Sequence, residues 1–167
     1  MAVRFRSRAL RATFFNRTVA ELTTRGWITA PINFGADPIS CIDYEPQERN
    51  EIITTNTVAV SLGDVVDDTD EELGALVGGL RSAFYPVFLD VYMATQAEAD
   101  AVCDDLRDAY DGHMFWLVDP VTGLDSNQAI EIEEIFGPDK PAGGAAINQF
   151  QQFWRVMRIG ARLYYQT

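Results

Sequence analysis

The residues that could carry out catalysis or bind a metal are few and lie far apart in this sequence. His113 is the only histidine, and it follows Asp111-Gly112 at a predicted helix-to-strand turn. A zinc site needs several His or Cys ligands, and no Gly-x-Ser-x-Gly motif offers a nucleophilic serine. Cys41 and Cys103 show no Cys-x-x-Cys spacing, and Cys103 is predicted to be a small, half-buried packing residue on a helix. We therefore expect a protein that is not an enzyme and has no catalytic residue, metal site or cofactor.

Residues 64–72 contain enough carboxylates to attract a hard cation. Their acids lack the alternate spacing, the central glycine and the closing glutamate of a calcium-binding loop. Acidic side chains stabilise the positive N-terminal end of a helix. We therefore predict an acidic turn that leads into a short helical segment ending at Gly78-Gly79. Weak Ca²⁺ or Mg²⁺ binding is the alternative interpretation.

Two other segments resemble functional sites only superficially. Residues 137–144 are rich in glycine, but no Gly-Lys-Ser/Thr follows, and two prolines remove or displace the amides that would bind phosphate. Glu131, Glu133 and Glu134 could supply paired carboxylates for acid–base catalysis. Strand alternation instead places Glu131 and Glu133 together on a half-exposed face. Neither segment predicts an active site.

Opposite charges are segregated along the chain, which has a formal net charge of −12. Residues 1–25 carry six arginines and one acid, residues 141–167 carry three arginines and no acid, and residues 26–140 carry the other 24 acids with four bases. An acidic body repels phosphate groups, which argues against nucleic-acid binding by the basic ends. We predict instead that the basic ends contact the acidic body of a neighbouring subunit or of the same chain. An acidic surface that serves only solubility is the alternative.

Two helices are predicted from apolar spacing and capping residues. Apolar residues recur at three- and four-residue steps over residues 5–24, and Gly26 can end this helix. The sequence from Thr95 to Glu98 has the form of a capping box and begins a helix over residues 95–111. Four aspartates are predicted to line the solvated face of this second helix: Asp100, Asp104, Asp105 and Asp108.

The remaining periodic segments predict a sheet. Residues 82–94 are apolar on both faces, so we expect a central strand, and Pro86 predicts a bulge or an edge at one end of it. Residues 28–50 predict a loop with short extended pieces. The predicted strands are 54–62, 82–94, 114–118, 129–136 and 150–165, the last as one long strand or a bent pair.

These elements predict an α+β fold with one domain over residues 1–167. We expect a mixed or antiparallel sheet of about 4–5 strands, with two main helices packed mostly on one face. The apolar runs are too short to cross a bilayer. Phe14 and Phe15 are followed at once by polar residues, so no signal-peptide core develops. We expect the protein to be found in the cytoplasm of the producing cell.

Residues 85–112 carry a resemblance to a known family. A strand of aromatic and β-branched residues runs directly into the capped, alanine-rich helix that begins at Thr95, and Asp111-Gly112 follows that helix. This segment resembles the tail terminator proteins of long, non-contractile-tailed bacteriophages. The arginine-bearing first helix and the β-rich C-terminal part are also similar to that family.

The resemblance implies a structural virion protein of the phage neck. Tail terminators form a homohexameric ring at the head-proximal end of the tail tube, where they end tube polymerisation and provide the surface for joining the head connector. The implied partners are further copies of the chain, the major tail tube protein and a head–tail connector or adaptor protein. Genomic DNA would pass through the lumen without specific binding, and no membrane is involved. The implied location is the virion, after assembly in the host cytoplasm.

Charge segregation adds candidate interface residues. The arginines at the start of the first helix are expected to meet acids of an adjacent subunit or of a connector, because a ring needs two different complementary patches. The acidic turn 64–72 and the loop 137–145 are expected to project for docking above or below the ring. The candidate interface residues are Arg4, Arg6, Arg8, Arg11, Asp67, Asp68, Asp70, Glu71, Glu72 and Lys140.

Three alternatives stay open on the sequence alone. The first is another head–tail connector or neck completion protein, or a tube subunit, although residues 120–128 are short for a stacking arm. The second is a small-ligand-binding α/β domain in which Arg158, Arg162 and Tyr164 line a pocket on one strand face. The third is a soluble interaction domain.

Overall fold

The computed structural model describes residues 6–28, 39–49, 53–67, 80–140 and 153–166. Within these ranges the chain forms the predicted α+β fold, with two helices and one mixed sheet. The helices are α1 (Arg6–Thr24) and α2 (Gln96–Tyr110), and a 3-10 turn lies at Pro46–Arg49. The strands are β1 (Ser40–Ile42), β2 (Thr57–Leu62), β3 (Val66–Asp67), β4 (Leu80–Met93), β5 (Met114–Val118), β6 (Asp125–Asp139) and β7 (Phe153–Gln166). The strand order is β1-β2-β4-β7-β6-β5, and β3 also pairs with β4.

The centre of the sheet is the antiparallel pair of β4 and β7. Fourteen residue pairs run without a register shift from Leu80 opposite Gln166 to Met93 opposite Phe153. β4 also pairs with β2, which confirms the central position predicted for residues 82–94. The core-facing residues are Tyr85, Val87, Leu89, Val91 and Met93 on β4 and Met157, Ile159, Ala161, Leu163 and Tyr165 on β7.

A transverse line formed by Gly63, Pro86 and Gly160 crosses the strands near the middle of the sheet. Pro86 pairs in register with Gly160, so the bulge predicted at this proline is wrong. On its other side Pro86 lies between the last residue pair of β2 and the first of β3, which agrees with the alternative of a local edge. The backbone of Pro86 faces the gap between β2 and β3, where Gly63 donates its N–H to the Pro86 carbonyl at 2.8 Å. The proline is tolerated because its missing donor falls where no ladder bond is needed. Beside Gly160, β6 shifts register between Ile132 and Glu134.

The sheet has more strands than the sequence predicts. β1 lies in the stretch predicted as a loop with extended pieces, and β3 lies inside the predicted acidic turn. Strands of two or three residues are too short to show an alternating pattern. β6 extends beyond the predicted range 129–136 at both ends, and β7 is one continuous strand. The sheet curls into a half-barrel.

Both helices begin and end close to the predicted positions. α1 ends before Gly26, whose φ of 82° is the left-handed conformation that favours glycine. At the start of α2, the Thr95 hydroxyl accepts the Glu98 N–H at 3.2 Å and donates to the Glu98 carboxylate at 2.8 Å. This pair confirms the predicted cap, although Glu98 contacts the hydroxyl rather than the backbone N–H of Thr95.

The two helices bury their apolar sides in one core against the sheet. α1 contacts β5 at one edge of the sheet and β1 and β2 at the other, whereas α2 packs against β4, β7 and β6. α1 therefore spans the open side of the curled sheet. The largest buried helical side chains are Leu10, Phe14 and Leu22 of α1 and Leu106 and Tyr110 of α2.

A buried threonine attaches α1 to the edge strand β5. Thr13 donates its hydroxyl hydrogen to the Ala9 carbonyl at 2.7 Å and accepts the Val118 N–H at 3.0 Å. Further along α1, Thr18 Oγ1 lies 2.8 Å from the buried hydroxyl of Tyr110 on α2. Since an unpaired buried polar group costs free energy, these bonds fix α1 against both β5 and α2.

Replacing Thr13 with valine should destabilise the fold. Valine has nearly the same shape but leaves the Val118 N–H without its acceptor, at a cost of about 1–3 kcal/mol. The Thr13→Ser control keeps the hydroxyl and loses one methyl group, at a cost of about 1 kcal/mol. Chemical denaturation followed by circular dichroism measures both. A Thr13→Val protein as stable as the wild type would show that this bond does not hold the edge strand.

Candidate interaction surfaces

The arginines predicted at an interface have different environments. Arg8 and Arg11 are exposed on α1 and pair with no acid in the part of the chain that the structure describes. The Arg6 guanidinium instead lies 3.5 Å from the centre of the Tyr165 ring, and this cation–π contact joins the start of α1 to β7. Arg4 lies outside the described residues. Arg8 and Arg11 are therefore the candidate interface cations on α1.

The aspartate-rich face of α2 is only partly a solvated face. Asp100 pairs with Arg155 of β7 at 3.2 Å. Asp105 accepts hydrogen bonds from Arg25 at 3.0 Å and from Trp27 Nε1 at 2.7 Å. These contacts correct the prediction that both side chains only face solvent. Three exposed aspartates have no ion pair within the described ranges: Asp104, Asp108 and Asp111.

The hairpin of β5 and β6 displays an apolar surface. Met114 and Trp116 on β5 are 63% and 52% exposed, and Val121 and Leu124 in the connecting turn are 86% and 69% exposed. The turn is ordered by its own backbone, because the Asp119 N–H donates to the Leu124 carbonyl at 2.9 Å. Turn residues are usually polar, so Val121 and Leu124 are a signal that the sequence reasoning missed. We call these four exposed side chains the apolar hairpin surface.

A groove of about 710 Å³ separates β5 from α1. Its walls include Arg17 of α1 and Met114 and Trp116 of β5. Ile132 of β6 donates its N–H to the His113 carbonyl, so strand alternation turns the backbone groups of Met114 and Trp116 away from β6 and towards the groove. Arg17 Nε is buried and has no hydrogen-bond partner among the described residues. An open strand edge of this kind is a surface to which another chain can bind.

The residues of the alternative ligand pocket are engaged within the chain. Three side-chain pairs link β7 to β6: Arg162 with Glu133, Tyr164 with Glu131, and Arg158 with Glu134. The Tyr164 hydroxyl donates to the Glu131 carboxylate at 2.7 Å, and this hydrogen bond raises the pKa of Tyr164 to about 12. Because these groups already bind one another, this strand face offers few polar groups to a ligand.

One buried carboxyl is a titratable group that the sequence reasoning missed. Asp90 of β4 is buried on the sheet face opposite the core-facing residues, and Trp154 Nε1 donates to it at 2.8 Å. Burial raises the pKa of Asp90 to about 6; the Trp154 hydrogen bond opposes the rise, and the negative charge of Glu45 adds to it. The one signal in the sequence is a single acid inside an otherwise apolar strand.

The two loops predicted to dock are described only in part. Val66 pairs with Phe84 as part of β3, and Asp64 is exposed. The backbone of Asp67 also belongs to β3. Lys140 is exposed just after β6. The predicted features that lie outside the described residues are Asp68, Asp70, Glu71, Glu72, the helical segment predicted to end at 78–79, and loop residues 141–145.

The residues considered for chemistry lie in separate places. His113 is exposed before β5, whereas Cys103 is fully buried on α2, more deeply than predicted, and burial raises the pKa of its thiol to about 12. Among the described residues, no three His, Cys, Asp or Glu side chains gather where they could hold a metal ion. Within the same ranges, no helix has the length and apolarity needed to cross a bilayer.

Comparison with known proteins leaves these surfaces as the basis for a functional proposal. No protein-family model matches the chain, and no curated protein matches it.

Replacing Asp90 with asparagine should change the pH dependence of stability. The folded-state pKa of about 6 is higher than the value of about 3.9 for an unfolded aspartate. Ionisation therefore costs folding free energy above pH 6, and that cost disappears as the pH falls through 6 towards 4. Two pKa units correspond to about 3 kcal/mol. Between pH 4 and pH 8, the stability difference should move in favour of Asp90→Asn by up to that amount.

Melting temperatures measured across this pH range test the effect. The matched control is Asp139→Asn, which removes the same charge from an exposed position at the end of β6. The control shows how much of the difference comes from the loss of one charge rather than from the burial of the carboxyl group. A constant stability difference between Asp90→Asn and wild type at every pH would contradict the raised pKa.

Proposed function

We propose that this chain is a structural virion protein, a tail terminator subunit that forms a ring at the head-proximal end of a phage tail tube. The ring ends tube polymerisation and provides the surface for joining the head connector. The observation that carries the proposal is the apolar hairpin surface beside the open edge of β5. Apolar surface of this kind marks a contact with another protein. The resemblance of residues 85–112 supplies the position in the virion.

A ring subunit on a tube needs contacts in two directions. Neighbouring copies meet through two different patches of the same chain, and the ring also meets the tube on one side and the connector on the other. In this proposal the apolar hairpin surface contacts the tube protein. The charged faces of α1 and α2 join neighbouring copies. The open edge of β5 adds backbone groups that can bind an extended segment of a partner.

The charge of the chain suits the passage of DNA. A ring of subunits that each carry a net charge of −12 repels phosphate groups. Phosphate neutralisation by basic side chains supplies most non-specific DNA affinity. An acidic ring therefore lets the genome pass through the lumen without holding it.

Another head–tail connector or neck completion protein would use the same surfaces. It would also form a ring and cover apolar surface with its partners. The difference lies in the effect on the tube, since a terminator binds the tube end and stops its growth. Tube length is therefore the measurement that separates the two assignments.

The groove beside β5 supports one further candidate, a small-ligand-binding domain. Its volume of about 710 Å³ lies in the range of about 300–1,000 Å³ that is typical of ligand pockets. A ligand that binds only the folded chain raises the melting temperature. A thermal-shift screen of small metabolites tests this candidate, and Trp116→Ala should abolish a genuine shift.

Removing the apolar tip of the hairpin should prevent tube capping. The variant Val121→Ser with Leu124→Ser loses two exposed apolar side chains, so its stability should stay within about 0.5 kcal/mol of wild type. Tail tube protein is polymerised with and without each chain, and electron microscopy measures tube length and the fraction of ends that carry a ring. Wild type should give short tubes capped at one end, and the variant should give long, open tubes.

The control Asn127→Ser changes an exposed polar residue of the same hairpin and should cap tubes as the wild type does. Equal capping by the double serine variant would show that the hairpin is not the tube contact. Wild-type rings that neither bind tube ends nor stop tube growth would contradict the terminator assignment and favour the connector alternative.

A further inference from the structure

We propose that copies of this chain associate head to tail, with the start of α1 in one copy docked against the end of α2 in a second copy. In this contact Arg8 and Arg11 of one copy face Asp104 and Asp108 of the other. The inference rests on the proposed function in one respect, which is that copies of the chain form a ring.

The end of α2 carries charge of the unfavourable sign. The exposed acids Asp104, Asp108 and Asp111 occupy its last two turns and its C-cap. The C-terminal end of a helix is already negative because of the helix dipole, so acids there are destabilising. The basic residue of the last turn, Arg107, is directed towards β6, where it donates to the Gly137 carbonyl. A cation from outside the chain would relieve this excess of negative charge.

The start of α1 has the opposite excess. Its first turn contains no acid, and Arg6, Arg8 and Arg11 place positive charge near the positive end of the helix dipole. Arg6 is held over the ring of Tyr165, which leaves Arg8 and Arg11 exposed and without an acidic partner in the described ranges. A positive helix start and a negative helix end stabilise each other when they are brought together.

Arg8 does not reach α2 of its own chain. Arg25 pairs with Asp105 at 3.0 Å, and Arg17 donates to the Ala109 carbonyl at 3.1 Å, so α2 lies beside the second half of α1. Arg8 precedes Arg17 by nine residues, which is roughly 13 Å along a helix. The contact between α1 and α2 inside the chain already pairs arginine with aspartate. A second copy can offer the same pairing to the remaining charges.

The exposed side of α2 has room for a second helix. Ala97 and Ala101 are exposed and precede Asp104 and Asp108 at intervals of three or four residues, which places all four on one side of the helix. Alanine projects little from a helix, so the start of another helix can approach the aspartates closely. The charged end and the open surface therefore belong to the same helix face.

A contact of this kind has recognisable properties. It joins two different patches, so repeating it produces a closed ring or a filament rather than a two-fold dimer. Exposed ion pairs are screened over a Debye length of about 10 Å at 0.1 M salt, and over about 3 Å at 1 M. Self-association should therefore weaken as the NaCl concentration rises. Apolar contacts are not weakened by salt in this way, so the hairpin surface does not produce the same response.

Two charge-reversal variants test the contact. Arg8→Glu with Arg11→Glu makes both helix faces negative, and Asp104→Lys with Asp108→Lys makes both positive. Each variant alone should have a self-association constant lower by about tenfold or more, because like charges then face each other. Sedimentation velocity over a concentration series measures this constant. An equimolar mixture of the two should regain the wild-type association, since every contact between unlike variants pairs opposite charges.

The control Asp43→Lys reverses an exposed charge just after β1 and should leave the association constant unchanged. Circular dichroism checks that each variant is folded. A wild-type chain that is monomeric at low salt at every concentration would overturn the inference. An association constant that neither variant lowers would also overturn the inference. So would an equimolar mixture of the two variants that does not regain the wild-type association constant.

Tube capping, measured beside self-association, distinguishes failure of the helix contact from failure of the terminator assignment. If the wild type caps tubes and both variants associate as the wild type does, the helix contact is refuted and the terminator assignment stands. If association follows the charge pattern and no tube end is capped, the helix contact stands and the terminator assignment is refuted.

Discussion

The unbroken pairing of β4 with β7 is the constraint on which the rest of the structure depends. Its fourteen residue pairs decide which side chains of both strands face the core, because a slip of one residue would turn every side chain to the other face. β2 and β6 pair with the outer sides of these two strands and add their apolar residues to the same core face. α2 packs directly on this pair, and β6 carries the β5 hairpin from its other side. The positions of α2, which carries the exposed aspartates, and of the apolar hairpin surface therefore both depend on the pairing of β4 with β7.

α1 contributes apolar side chains to the core and also spans the open side of the curled sheet. It contacts β5 at one edge and β1 and β2 at the other, and Thr13 binds the Val118 N–H of β5. Only part of the β5 edge is occupied in this way. Among the described residues, the backbone groups of Met114 and Trp116 face away from β6 and towards the groove. The same helix presents Arg8 and Arg11 to solvent. α1 thus both spans the open side of the sheet and presents these two cations.

The long elements could be predicted from the sequence because their apolar periodicity extends over many residues. Both helices and the long strands lie close to the predicted ranges. β1 and β3 are too short to show a period, and the tolerance of Pro86 depends on where β2 and β3 separate. The surfaces were less predictable, since they depend on residues far apart in the chain. Arg6 can stack on Tyr165 only when β7 lies next to the start of α1. Asp90 is buried beneath Trp154 only when β7 lies next to β4. Exposure of Arg8 and Arg11 follows from the local helical pattern and agrees with expectation.

The transverse line of Gly63, Pro86, Gly160 and the β6 register shift runs from the gap between β2 and β3 across β4 and β7 to β6. Glycines and bulges concentrate bending in a sheet, so curvature is localised where this line crosses. At Gly160 a Cβ would lie 2.7 Å from the Phe84 ring, which means that the bend also requires close packing on the face away from the core. The residues that bend the sheet are therefore different from the core residues that hold the helices. Substitutions at these few positions can therefore change the curvature of the sheet while the residues that hold the helical layer stay the same.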